Sequence, residues 1–248
     1  RQRSLLQQER RIANELQVCL ANFEGADAYA STLRQVTDAL DDLFLLVIVG
    51  EFNAGKSACI NALLHNDVLE EGVIPTTHQV TIVRYGQDNE QRLLDANILE
   101  IDAPADFLRD ISIVDTPGVN AVLREHEQLT EEFVPRSDLI LFITSVDRPF
   151  TQSERVFMER IRAWGKKVII ILNKIDLLRT PANLDEVLDF VRENCKNLLG
   201  FQPEIFPVSA LLAQKSRSAV GHDAIELWEK SRFGALEEYL FHTLDEAE

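Results

Sequence analysis

The sequence predicts an α/β fold: a mostly parallel, doubly wound sheet with one antiparallel edge hairpin. Two runs, Leu139–Ile143 and Val168–Leu172, are apolar at every position, as strands covered on both faces must be. Helically spaced segments at about Ser153–Trp164 and Asn183–Leu199 separate or follow them, and alternation of strand with helix signals parallel pairing. The apolar run Leu43–Val49 leads into Gly50-Glu51-Phe52-Asn53-Ala54-Gly55-Lys56-Ser57 and then into a helical Ala58-Cys59-Ile60-Asn61-Ala62-Leu63-Leu64. Strand, glycine-framed loop and helix in succession belong to this fold class, and its ligands sit beyond the C-terminal ends of the strands.

In chain order, Leu5, Ile12, Leu16, Cys19 and Phe23 form one helical stripe. After Gly25, the residues Tyr29, Leu33, Val36, Leu40 and Leu43 form a second. These two helices either pack on their own domain or join a helical neck completed from elsewhere. Val80–Tyr85 and Asn97–Ile101 read as the two strands of a hairpin, with Gly86–Glu90 as its turn. Ile111–Val114 and Glu204–Val208 are further strands. From His222 the tail is helical, with Leu236, Tyr239, Leu240 and Leu244 on one stripe able to meet the N-terminal helices. The expected division is neck helices at 1–42, a central domain at 43–220, and a C-terminal helix at 221–248 that ends the central domain or joins the neck.

The 248 residues carry a net charge of -16. That balance opposes a nucleic-acid groove, which needs a basic face, and opposes contact with an anionic bilayer through this part of the chain. Cys19, Cys59 and Cys195 are odd in number and widely spaced, which reads as reduced thiols rather than a disulfide framework. No segment approaches the ~20 apolar residues of a membrane span. The missing initiator Met and the acidic end Leu244–Glu248 read as a fragment of a longer protein.

The chemistry is carried by four stretches. In the glycine-framed loop, backbone N–H groups from Glu51 to Ala58 can curl around a phosphate at a helix N-terminus. Lys56 would reach the β- and γ-phosphates, and Ser57 would give an oxygen to Mg²⁺. Asp115-Thr116-Pro117-Gly118 follows a buried strand; Asp115 can hold Mg²⁺ through water and the Gly118 N–H can sense a γ-phosphate. In Asn173-Lys174-Ile175-Asp176, the Asp176 carboxylate can accept from guanine N1–H and its amine. Adenine lacks that donor pair, so such a site discriminates by roughly 10⁴. Lys174 would lie along the base, Asn173 would tie this loop to the phosphate loop, and Ser209-Ala210 can offer a backbone N–H to guanine O6. In Pro75-Thr76-Thr77 a threonine completes the Mg²⁺ shell: Thr77, which abuts the strand near Val80, with Thr76 as the alternative. In this order at strand ends, the stretches specify a P-loop fold that binds GTP.

These residues resemble the dynamin superfamily, in its bacterial dynamin-like and mitofusin-like (FZO-like, FZL) branch. The carriers are Gly50–Ser57 with Ile60–Leu64, Pro75–Thr77, Asp115–Asn120 and Asp147-Arg148-Pro149-Phe150-Thr151. The likeness covers about 43–215. It implies a GTPase whose domains pair across the nucleotide face, hydrolyse GTP and drive a helical neck to remodel or fuse membranes. Lipid contact would come from regions outside this sequence, at the cytosolic face of a bacterial membrane or at a stromal, thylakoid or other organelle membrane. Small signalling GTPases orient water with a glutamine where this chain has Val119, so Thr77, Lys56 and the Gly118 amide are the local catalytic candidates. Asn53 sits where cation-dependent GTPases use an asparagine at K⁺ (or Na⁺); the plainer reading is a loop cap. Arg148 is either a contact across the domain pair or a solvated partner of Asp147. The alternatives are an Era- or TrmE-like cation-dependent GTPase of RNA or ribosome maturation, and a slow GTP/GDP switch.

Overall fold

The computed structural model describes residues 44–70, 79–88, 90–95, 97–117 and 133–247. The expected N-terminal helices, Thr76, Thr77, Gly118 and Val119 lie outside the described residues. The strands are β1 (Leu45–Gly50), β2 (Val80–Tyr85), β3 (Gln91–Asp95), β4 (Ile98–Ala103), β5 (Ser112–Asp115), β6 (Leu139–Ser145), β7 (Val168–Asn173) and β8 (Ile205–Pro207). They form one sheet in the order β3-β4-β2-β5-β1-β6-β7-β8. The helices are α1 (Lys56–Leu63), α2 (Gln152–Trp164), α3 (Pro181–Leu199), α4 (Ala210–Ser218), α5 (His222–Ser231) and α6 (Phe233–Ala247).

Register explains why distant stretches meet. β1 is central and parallel to both neighbours, pairing Ile48 with Asp115 and Gly50 with Ile143. β6 and β7 run parallel, with Ser145 opposite Asn173. The phosphate loop, Asp115, the 145–151 turn and the Asn173 turn therefore leave the sheet at the same edge. Side chains alternate between faces as the pleat requires. Leu46, Ile48, Leu141 and Ile143 pack with Ile60 of α1 and Ala213 of α4 on one side. Val47, Val49, Phe142 and Ile170 pack with Met158 of α2 and Val191 of α3 on the other. Cys59 and Cys195 are buried free thiols.

The edge hairpin exists, but its strands differ from those expected. β2 pairs with β4 in parallel, Val80 opposite Ile98, and antiparallel with β5. The hairpin is β3–β4, with Gln91 opposite Ile101 and an irregularity between Leu93 and Asp95. β3 escaped the sequence reading because Gln91–Asp95 is exposed at every position. An edge strand with no buried face carries no alternation. The expected turn at 86–90 thus falls between β2 and β3 in the chain, not between the two strands named for it. The stripe on α6 meets the sheet: Leu236 and Leu240 are buried in the same cluster as Leu46 and Leu139.

Asn61 closes the end of α1. At 1% exposure, it donates through Nδ2 to Leu69 O at 2.8 Å. Its Oδ1 accepts from the N–H groups of Val68 at 3.0 Å and Leu69 at 2.8 Å. Removing it strands buried donors and an acceptor, so Asn61→Ala will cost about 2–4 kcal/mol. A urea titration showing a loss below about 0.5 kcal/mol would mean that this loop closes without the staple.

Candidate guanine-nucleotide site

The phosphate loop takes its shape from two glycines. At Gly50, a Cβ would stand 2.2 Å from the backbone oxygen of Ile143. At Gly55, with φ of 91°, it would stand 2.3 Å from Asn173 Nδ2. No larger residue fits either place. Gly55 caps α1 without a side-chain hydrogen bond to the first-turn N–H groups, which leaves an anion cradle at the positive end of a helix dipole.

Lys56 is buried, with Nζ donating to the carbonyls of Gly50 and Glu51 at 3.2 Å each. Burial pushes its pKa down, and the charges of Asp115, Glu154 and Glu51 oppose that shift without overcoming it. Asp115 is 0% exposed. Burial raises its carboxyl to about 6, against the pull of Lys56 and the Ser57 hydroxyl. Ser57 Oγ lies 3.4 Å from Asp115 Oδ2, while Asp115 Oδ1 is buried with no hydrogen-bond partner among the described residues. A hydroxyl oxygen beside an orphaned carboxylate oxygen is a hard-oxygen donor set that suits Mg²⁺ with its water shell. Thr116, which sequence reasoning passed over, fixes this turn by donating through Oγ1 to Ile48 O at 2.8 Å.

At the base end, buried Asn173 donates from Nδ2 to Ala54 O at 3.0 Å and accepts at Oδ1 from the Ala210 N–H at 3.1 Å. One side chain thus joins three loops. The Ala210 amide expected at guanine O6 is committed to Asn173, and the Ser209 N–H donates to Ser231 O at 2.9 Å. Lys174 is left-handed at φ 66°, and its Nζ is 3.8 Å from Asp147 Oδ1. Ser209 Oγ donates to Asp176 Oδ1. Arg148 is exposed on the following turn, its N–H donating to Ser145 O at 3.2 Å; Asp147 has Lys174 as an ion-pair partner.

Glu154 looks in the sequence like an ordinary helix residue. It is 1% exposed, its Oε2 accepting from Thr144 Oγ1 at 3.1 Å and from the Thr151 N–H at 3.0 Å. Burial first, and the neighbouring charge of Glu51 second, lift its carboxyl to about 7 against the hydrogen bonds of Thr151, Thr144 and the Glu51 N–H. The folded state therefore holds a proton that the unfolded chain releases, and stability falls as pH rises from the ordinary 4.5 through about 7. A glutamine at this position would keep, in its one amide oxygen, an acceptor for the Thr144 hydroxyl and the Thr151 N–H without the charge. Glu154→Gln will be more stable than the native chain by about 1–3 kcal/mol at pH 8, with the gap closing toward the ordinary glutamate value. Unfolding curves that coincide at both ends of this range would refute the assignment.

Fold and site together define a P-loop GTPase domain. A family described as 50S ribosome-binding GTPase matches residues 45–174. A probable transmembrane GTPase FZO-like, chloroplastic, of Arabidopsis thaliana is 42% identical over 231 residues, 87% of this chain and 25% of that protein. Dynamin-like protein 1 of Campylobacter jejuni is 24% identical over 98% of this chain and 43% of its own length. A solved structure from an oligomerised bacterial dynamin pair superposes with a TM-score of 0.70 at 24% identity, covering 98% of this chain and 43% of that one. The chain belongs to this GTPase family, and within it is a dynamin-like, FZO-like G domain that binds guanine nucleotide. It spans between a quarter and a half of the length of these relatives. Among the described residues no helix is long and apolar enough to cross a membrane.

Proposed function

We propose that this chain is the GTP-hydrolysing motor domain of a dynamin-like membrane-remodelling protein, activated when two copies pair across the nucleotide face. The observation that carries the reading is the meeting of a phosphate cradle, the orphaned Asp115 oxygen and the Asp176 carboxylate at one sheet edge. The amides from Glu51 to Ala58, with Phe52 and Asn53 at the crest, hold the phosphates, and Lys56 turns from its two carbonyls to the β- and γ-oxygens. Ser57 and Thr77 (Thr76 as the alternative) would hold Mg²⁺ directly and Asp115 through water. The ion supplies positive charge where the γ-phosphoryl oxygens gain negative charge. Asp176 reads guanine, Lys174 covers the base, and Ser209 and Ala210 close the pocket. With Val119 unable to orient water, Thr77 and the Gly118 amide position it, and Asn53 can hold K⁺ or Na⁺ beside the phosphates. Residues 43–220 form the motor, 1–42 supply neck helices, and the burial of Leu236 and Leu240 supports placing 221–248 at the motor's end. Lipid contact lies in the remainder of the longer protein, at a bacterial or organelle membrane.

The test is GTP turnover per molecule against protein concentration. A rising curve is expected, and a flat, negligible rate would favour the slow GTP/GDP switch. Equal turnover in choline chloride and KCl would remove the Asn53 cation role. The Era- or TrmE-like reading has less support, since the net charge of -16 opposes an RNA groove.

A further inference from the structure

One short segment, 145–151, runs along the rim from the base site to the phosphate loop, and both its ends are fastened. At the base end the Val146 N–H donates to Asn173 O at 3.1 Å, and Asp147 faces Lys174. At the phosphate end, Glu51 Oε1 accepts from Thr151 Oγ1 at 3.0 Å and from Ser153 Oγ at 2.8 Å. Glu154 of the same turn accepts from the Thr151 N–H at 3.0 Å and so fixes the end of the segment that Glu51 holds. Glu51 is thus gripped through its side chain by the first turn of α2. Between the two anchors, Phe150 is held at φ 57° with its ring buried and stacked on Phe142 at 6.2 Å. A bulky residue stays in that conformation only where its surroundings over-determine it. The segment is therefore a stiff bridge, and Arg148 stands exposed upon it.

We propose that Glu51 is a positioning residue: through Thr151 and Ser153 it locks this bridge to the phosphate loop and so presents Arg148 to a second copy of the chain across the nucleotide face. The occupant follows from charge. A second copy brings a polyphosphate bound at its own rim and a chain of net charge -16, and either is a fitting target for an exposed guanidinium. The inference rests on the pairing reading above. It adds that the phosphate loop and the pairing surface are mechanically one piece, so occupancy of the loop and docking of Arg148 favour each other.

The test compares the full chain with Ser153→Ala, which removes one bond of the clasp and leaves the Thr151 cap of α2 intact. Amide exchange over 146–150 should quicken about tenfold. Fluorescent GDP affinity and turnover at high dilution should not change, while the rise of turnover with concentration should weaken about 5-fold or more. Ser153→Thr, which restores the hydroxyl, should return both exchange and concentration dependence to native values. Arg148→Ala should weaken the concentration dependence without quickening the exchange. A Ser153→Ala curve that rises as steeply as the native one, with exchange quickened, overturns the positioning role and leaves pairing intact. A native curve that is flat overturns pairing and this proposal with it.

Discussion

Asp176→Asn will lose most of its affinity for GDP and gain affinity for xanthosine diphosphate. Asp176 follows β7 in a turn whose hinge, Lys174, is left-handed, and Ser209 Oγ occupies one carboxylate oxygen. Each carboxylate oxygen carries two lone pairs, so acceptor capacity remains for guanine N1–H and its exocyclic amine. An asparagine amide offers one acceptor and one donor, and the donor meets guanine's amine head-on. Xanthine has a carbonyl in place of that amine and matches the new pattern. Leaving a buried polar group unpaired is what makes such sites selective, so GDP binding should fall about 10²–10⁴-fold. Competition of fluorescent GDP by GDP, ADP and xanthosine diphosphate reads all three. A variant that keeps tight GDP binding and ignores xanthosine diphosphate would show that Asp176 does not read the base.

What was legible in the sequence was what depends on local spacing. The runs Leu45–Val49 of β1, Leu139–Ile143 of β6 and Val168–Leu172 of β7 are apolar at every position because both faces are covered, and the phosphate loop, Asp115 and Asn173 stretches have their chemistry within a few residues. β3 was missed because Gln-Arg-Leu-Leu-Asp has no buried face to impose a period. The role of Glu154 was half legible: Thr151-x-x-Glu154 is a capping-box pattern, and the box is formed. Its contact with Glu51, about a hundred residues earlier, depends on β1 and β6 being neighbours, which no local pattern states. The Asn61 staple is similar, since it needs the chain after α1 to double back. The α6 stripe was plain, but a stripe names no partner, and the contact with Leu46 and Leu139 is tertiary.

Lys56→Met separates function from fold. Lys56 donates its ammonium to two backbone carbonyls, and burial lowers its pKa despite three carboxylates nearby. A folded-state pKa below the unfolded one means that the charge is a cost to the fold at neutral pH, relieved only as pH rises toward the ordinary lysine value. Methionine keeps the length and apolar stem and discards that cost. Its opposite effect falls on Asp115, already raised to about 6. Without the ammonium that carboxyl rises further and takes up a proton near neutrality, which limits the penalty. Unfolding free energy should therefore stay within about 1 kcal/mol of native, not fall by the 3–5 kcal/mol of a broken buried ion pair. Turnover is a different matter, because in the proposed function the same ammonium is the charge aimed at the β- and γ-phosphates as the bond breaks. Its removal should cost about 10³-fold or more in GTP hydrolysis. Urea unfolding and turnover on one preparation decide between the two roles. A loss of several kcal/mol would make Lys56 a structural residue, and a rate within about tenfold of native would take it out of the phosphate site.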